Sequence, residues 1–91
     1  MIIAKVIGTV VSTRKNSNLI GSKFMIVEPL PVMHSDVQRL VAVDQAGAGI
    51  GDYVLVSVGS AARMLSGSEA ASIDAAIVGV IDSPDEIVVK E

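Results

Sequence analysis

Cysteine is absent from this sequence, and its absence removes several kinds of chemistry. A chain without cysteine cannot form a disulfide framework, a thiolate zinc site, a cysteine-ligated iron–sulfur cluster or a cysteine nucleophile. Tryptophan is also absent, and there is one phenylalanine and one tyrosine. Proteins that hold single-stranded nucleic acids stack the bases on exposed aromatic rings. The composition therefore disfavours thiol chemistry and base stacking, and we predict no cofactor and no metal site.

Charged residues and long apolar runs are also scarce. Charged residues are 19% of the chain, the formal net charge is -3 and the isoelectric point is near 4.9. Because the basic residues are few and mostly scattered, we do not expect nucleic acid as a partner. The longest uncharged run, residues 53–62, is about half of the roughly 20 residues that a membrane span needs. The start of the sequence lacks a secretory signal pattern, so we expect a cytoplasmic protein without membrane contact.

Apolar residues, in contrast, are in excess. They make up 51% of the 91 residues, and the mean hydropathy is +0.61. A chain of this length forms one domain, which we expect to span residues 1–91 with residues 83–91 as a C-terminal tail. So small a domain buries only about 60 to 65% of the surface of its unfolded chain, and part of the apolar surplus must stay outside the core. Other copies of the chain are the expected cover, which predicts a homo-oligomer.

Alternating apolar residues predict an all-β fold. Residues 74–82 are apolar on both faces, so a neighbouring subunit is expected to cover the outer face of that strand. Residues 40–44 and 52–58 are expected to form a hairpin-like unit. The predicted strands are residues 2–12, 19–28, 40–44, 52–58 and 74–82, with residues 86–90 as a short final strand or tail.

Turn and cap residues complete the predicted fold. Pro29 and Pro31 are expected to end the second strand, and residues 29–39 are expected to form a surface excursion. Ser60 is a candidate N-cap for a short helix over residues 61–65. Five short strands with one brief helix are typical of a small closed barrel. The predicted fold class is therefore an all-β, five-stranded OB-like β-barrel.

Two patterns have a possible catalytic or binding interpretation. His34 is the only histidine and adjoins Ser35 and Asp36, but catalytic triads are assembled from distant segments and not from neighbours in sequence. The glycines of residues 47–51 resemble a phosphate loop, yet a strand is expected after them instead of a helix, and no lysine follows. We interpret His34 as a solvated residue. The glycines form either a turn that requires positive φ or a loop without side chains where several chains crowd together.

Arg63 follows small residues that permit close approach of another chain. It is either a solvent-facing cation above the predicted helix or one partner of an intersubunit ion pair. The carboxylates that could complete such a pair are Asp44, Asp52 and Asp74.

Seven segments, taken in order, resemble one protein family. They are GTVVST (8–13), LIGSKF (19–24), VAVD (41–44), GAGIGD (47–52), VL (54–55), GSAAR (59–63) and IDAAIVGVID (73–82). The ordered set resembles the bacterial microcompartment vertex proteins of the EutN/CcmL type, from carboxysome and metabolosome shells. The resemblance covers about residues 3–82 and leaves out residues 29–39 and the tail.

The resemblance implies a structural protein and not an enzyme. It implies an OB-like barrel that assembles as a cyclic homopentamer, caps the fivefold vertices of a polyhedral shell and contacts hexameric shell proteins. The alternative is an OB-like module that binds single-stranded nucleic acid or another ligand. The candidate residues of the subunit interface or central axis are Asp44, Gly47, Ala48, Gly49, Gly51, Asp52, Ser60, Arg63 and Asp74.

Overall fold

The computed structural model describes residues 1–11, 23–59 and 75–90. Alternating apolar side chains in these residues form five strands, as predicted. The strands are β1 (Ile2–Val10), β2 (Phe24–Pro29), β3 (Leu40–Asp44), β4 (Tyr53–Val58) and β5 (Ala75–Ile81). Two short 3-10 turns, Pro31–Met33 and Pro84–Glu86, are the other regular elements of the described residues. The predicted helix over residues 61–65 lies outside them.

The strands close into a barrel in the order β1-β2-β3-β5-β4, and β4 pairs back to β1. Neighbouring strands are antiparallel except β3 and β5, which are parallel. The predicted five-stranded OB-like barrel is confirmed, but the hairpin-like unit of residues 40–44 and 52–58 is wrong. β5 lies between β3 and β4, so these two strands are not neighbours. Residues 45–51 connect them across the end of the barrel, and this connection is longer than the usual hairpin loop of about 2 to 5 residues.

Residues 45–51 define one end of the barrel, which we call the loop end. β3 ends there and β4 begins there. β5 also ends there, because Ile81 is opposite Tyr53 and Tyr53 is opposite Lys5 of β1. The chain therefore leaves the barrel at the loop end after β5, next to the second half of β1.

The main core fills the inside of the barrel with small and β-branched side chains, as the narrow interior of a small barrel requires. In β1 it contains Ala4 and Val6, alternate residues whose side chains point to the same side of the strand. Its buried members are Ala4, Val6, Met25, Val27, Ala42, Ala48, Val54, Val56, Ala75 and Ile77.

A second, smaller cluster buries part of the outer face of β5. Val43 and Ala76 are buried together, and Phe24 and Val78 pack against them. Ala76 is thus covered by its own barrel, although a neighbouring subunit was the predicted cover for this face. Further along β5, Val80 is 37% exposed.

β1 extends beyond its pairing with β4. Ile2–Lys5 pair with β4, and the last contacts on that side are made at Val6. The Val6 carbonyl accepts a hydrogen bond from the Gly51 N–H (2.8 Å), and the Val6 N–H donates to the Asp52 carbonyl (2.9 Å). A bulge between Val6 and Gly8 then shifts the register against β2. Beyond this bulge, β2 is the one partner of β1 among the strands that the structure describes.

β2 ends one residue later than predicted. Pro29 is its last residue and lies opposite Ala4, and a proline is tolerated at a strand terminus because the ladder needs no further N–H there. Residues 34–39 are exposed, in agreement with the predicted surface excursion. Residues 87–90 form no strand in the described structure. Of the two predictions for the end of the chain, a short final strand or a tail, the final strand is therefore wrong.

Candidate assembly surface

Asp44 organises the loop that closes the loop end. Its side chain is 2% exposed, and both carboxylate oxygens accept backbone hydrogen bonds. Oδ1 accepts from the Ala46 N–H and Oδ2 accepts from the Ala48 N–H, each at 2.9 Å. Aspartate favours this type of turn because its short side chain reaches backbone N–H groups two to four residues ahead. The last residue of β3 therefore fixes the path of residues 45–48.

Asp52 holds the second half of the loop. Its Oδ2 accepts a hydrogen bond from the Gly49 N–H (2.8 Å), and its own N–H donates to the Gly49 carbonyl (3.1 Å). Residues 49–52 thus form a tight turn. Gly51 has φ +93° and Gly47 has φ +77°, both in the region that side chains disfavour. The predicted need for positive φ in the glycine run is confirmed at these two positions.

Lys23 joins the start of β2 to the same loop, which sequence reasoning missed. Its Nζ donates to the Ala48 carbonyl (2.8 Å) and lies 3.6 Å from Asp44 Oδ2. The lysine side chain is 56% exposed, so the ion pair itself contributes little stability. Lys23 belongs to the LIGSKF segment, but nothing in the sequence spacing links it to Ala48.

Ile50 lies at the tip of the turn and is 66% exposed. The residues on either side of it are fixed by the hydrogen bonds of Asp52 and Gly51. An apolar side chain on such a preorganised turn loses little conformational entropy when a partner covers it. The sequence-based candidates included its neighbours on both sides but not Ile50 itself, because an isoleucine in a glycine run has no distinctive pattern.

The same contacts bear on the phosphate-loop interpretation. The N–H groups of Ala46, Ala48 and Gly49 already donate to the carboxylates of Asp44 and Asp52. The loop is followed by β4 and not by a helix, so it also lacks the helix N-terminus of nucleotide sites. Residues 45–51 therefore form a structural turn stabilised from within the subunit.

The candidate interface residues divide into two groups. Ser60, Arg63 and Asp74 lie outside the described residues. The others lie together at the loop end, on residues 44–52. An intersubunit ion pair of Arg63 with Asp44 or Asp52 stays a prediction, although both carboxylates already accept hydrogen bonds within their own loop.

His34 lies in an exposed turn after Pro31–Met33. It has φ 49°, and its backbone N–H donates to the Pro31 carbonyl (3.1 Å). The neighbouring Ser35 hydroxyl donates to the Val37 carbonyl (3.0 Å) and accepts from the Val37 N–H (3.1 Å). The serine hydroxyl therefore serves the local turn and is not bonded to the imidazole.

Large apolar side chains remain on the described surface, as the composition predicts. Several of them, such as Ile7 and Ile50, lie near the loop end. The exposed ones are Met1, Ile7, Val11, Val37, Val41, Ile50, Val58, Val80, Val88 and Val89. In the described part of the chain, no helical segment has the length and apolarity to span a bilayer.

Comparison with known families assigns the chain. The family model described as "Ethanolamine utilisation protein EutN/carboxysome" matches residues 1–82. The chain belongs to this EutN/CcmL family. Among its relatives, the microcompartment shell vertex protein GrpN of Rhodospirillum rubrum is 46% identical over 88 residues, which are 96% of this chain and 99% of GrpN. The carboxysome shell vertex protein CcmL of Synechocystis is 46% identical over 84 residues, covering 91% of this chain and 84% of CcmL.

Solved structures of the EutN/CcmL family have the same fold as this member. The pentameric GrpN shell protein of Rhodospirillum rubrum has a TM-score of 0.77 and 49% sequence identity, with 91% of this chain and 95% of that chain covered. The pentameric shell protein of the RMM microcompartment has a TM-score of 0.82 and 32% identity, with 100% and 99% covered. Both comparisons agree with the resemblance to the EutN/CcmL family that the ordered sequence segments indicated.

Proposed function

We propose that this chain is a structural subunit of a bacterial microcompartment shell, in which five copies form a ring that caps a fivefold vertex. The observation that carries the proposal is the EutN/CcmL family match over residues 1–82, with relatives named as shell vertex proteins. The protein acts inside the cytoplasm as part of the shell and catalyses no reaction.

The loop end suits a contact in a closed ring. Identical head-to-tail contacts close after five subunits only if the interface fixes the rotation between neighbours. A loop held by Asp44 and Asp52 keeps Ile50 and the glycines in one geometry, which lowers the entropic cost of association. This rigidity supports the assignment of residues 44–52 to the subunit contact or the central axis.

Shell geometry gives the ring its role. Hexagonal units alone tile a flat sheet, and fivefold units at the corners supply the curvature that closes a polyhedron. The proposed partners are therefore hexameric shell proteins around each ring. Their contact is with the assembled ring, since a single barrel has no fivefold symmetry.

The test is co-production of the chain with the hexameric shell proteins of its own organism, compared with the hexameric proteins alone. Electron microscopy is expected to show closed polyhedral shells only when the chain is present, and the chain is expected to purify with them. Shells that close equally well without it would contradict the proposal. A salt-dependent shift of labelled single-stranded DNA by the purified chain would instead favour the nucleic-acid-binding alternative.

A further inference from the structure

Residues 87–90 follow the Pro84–Glu86 turn and have no strand partner in the described part of the chain. The Ile87 N–H donates to the Pro84 carbonyl (3.1 Å), and no other hydrogen bond of this segment occurs in the described structure. Val88 is 71% exposed and Val89 is 53% exposed. The β-branched residues of the segment favour a strand, so its sequence and its unpaired state disagree.

Within residues 1–11, 23–59 and 75–90, the second half of β1 has an edge without a strand partner, which we call the free β1 edge (residues 7–10). These residues pair with β2 on one side. On the other side no described residue is hydrogen-bonded to them, because the contacts from β4 and its preceding loop end at Val6. Beside this edge Ile7 is 36% exposed and Val11 is 90% exposed. An exposed strand edge with apolar side chains is a template for another strand.

A second stretch for comparison lies on β3. Among the described residues, β5 pairs with Val43 and Asp44 and with none of residues 40–42. This stretch lies at the opposite end of the barrel from the point where the chain leaves β5. It is therefore the natural comparison for the free β1 edge.

Ring symmetry selects between the two edges. Subunits in a cyclic ring are related by rotation alone, so each point keeps its height along the ring axis. The chain leaves β5 at the loop end of its own barrel, so the tail that follows starts at the height of the neighbour's loop end, where the free β1 edge lies. Residues 87–90 and the free β1 edge each span about 13 Å when extended, so their lengths match.

We infer that residues 87–90 of each subunit add as a strand to the free β1 edge of the neighbouring copy in the ring. The inference rests on the proposed pentamer. Main-chain hydrogen bonds supply the attraction in this mode of recognition, and alternate side chains such as Val88 or Val89 find apolar cover on the neighbour. The segment lies beyond residues 1–82, the part that matches the family model.

The chain has no cysteine, so engineered disulfides test the pairing directly. The test variant carries Thr9→Cys and Val89→Cys, and the matched control carries Val41→Cys at an exposed position of β3 with the same Val89→Cys. After oxidation, denaturing electrophoresis without reductant is expected to show a covalent ladder up to five chains for the test pair and single chains for the control. Mixed single-cysteine variants, Thr9→Cys with Val89→Cys, are expected to give covalent dimers.

The outcomes separate this inference from the proposed function. A disulfide within one chain, or a ladder from the control pair, overturns the inference while the unmodified protein remains a ring. If the unmodified protein forms no ring, the proposed function is overturned instead.

A second measurement needs no cross-link. Val88→Pro removes an N–H from the added strand. It is expected to raise the subunit concentration at which half of the rings are dissociated by about tenfold or more. The control Lys90→Ala keeps its N–H and is expected to change this concentration little. If the rings of Val88→Pro and of the unmodified protein are half dissociated at the same subunit concentration, the inference is overturned.

Discussion

Asp44 and Asp52 are the residues on which the order of the loop end depends. Glycine has more backbone freedom to lose than other residues, so a loop with three glycines in five residues, 47–51, is costly to hold in one conformation. The two carboxylates offset this cost by accepting the loop N–H groups, and Lys23 adds a bond from β2. Their observed role is to fix the path of the loop between β3 and β4.

Substitution of Asp44 tests this role. Asp44→Ala leaves the N–H groups of Ala46 and Ala48 without their acceptor and is expected to lower the free energy of unfolding by about 2 kcal/mol. Asp36→Ala, in the exposed excursion, is the control and is expected to stay within about 0.5 kcal/mol of the unmodified protein. Chemical denaturation under identical conditions measures both, and equal stabilities would show that the loop does not need the carboxylate.

Single residues also show what the sequence could and could not reveal. The positive φ of Gly47 and Gly51 was predictable because few other residues adopt it. The contact of Lys23 with Ala48 was not, since it joins residues that are far apart in sequence and depends on which strands are neighbours. The exposure of Ile50 likewise depends on the turn geometry and not on residue type.

At the scale of elements, the strands were predictable and their order was not. Alternation of apolar residues located all five strands within a few residues of their observed bounds, apart from ends that lie outside the described residues. Alternation says nothing about which strands pair, and consecutive strands are adjacent only about two-thirds of the time. The insertion of β5 between β3 and β4 is a case in which the default fails.

The loop as an element can be tested apart from the barrel. Among the described residues, a Cβ added at Gly49 has one neighbour within 4 Å, Asp52 Oδ2 at an ordinary 3.7 Å, and the φ of Gly49 is not in the positive region. Gly49→Trp is therefore expected to cost the barrel less than about 1 kcal/mol but to break the ring by steric conflict with the neighbour. Gln38→Trp, in the exposed excursion, places the same bulk elsewhere and is expected to keep the ring.

Sedimentation velocity and thermal melting of the two tryptophan variants give the result. If both sediment like the unmodified protein, the loop end is not a subunit contact, and the assignment of residues 44–52 fails. If Gly49→Trp unfolds, its melting curve reports that directly and distinguishes folding from assembly.

At the scale of the whole molecule, composition and structure agree on an apolar surplus. The barrel interior takes the small and branched side chains, while large apolar side chains such as Ile50 and Val88 remain exposed. One small domain cannot bury them all, because its surface is large relative to its volume. In the proposed ring, association with further copies would remove part of this surface from water.

Native mass spectrometry of the purified protein at micromolar concentration tests the central claim most directly. Five copies of the 9.4 kDa chain total 47 kDa, and the account predicts this mass as the dominant species. A stable monomer of 9.4 kDa, or a closed ring with another number of subunits, would contradict it.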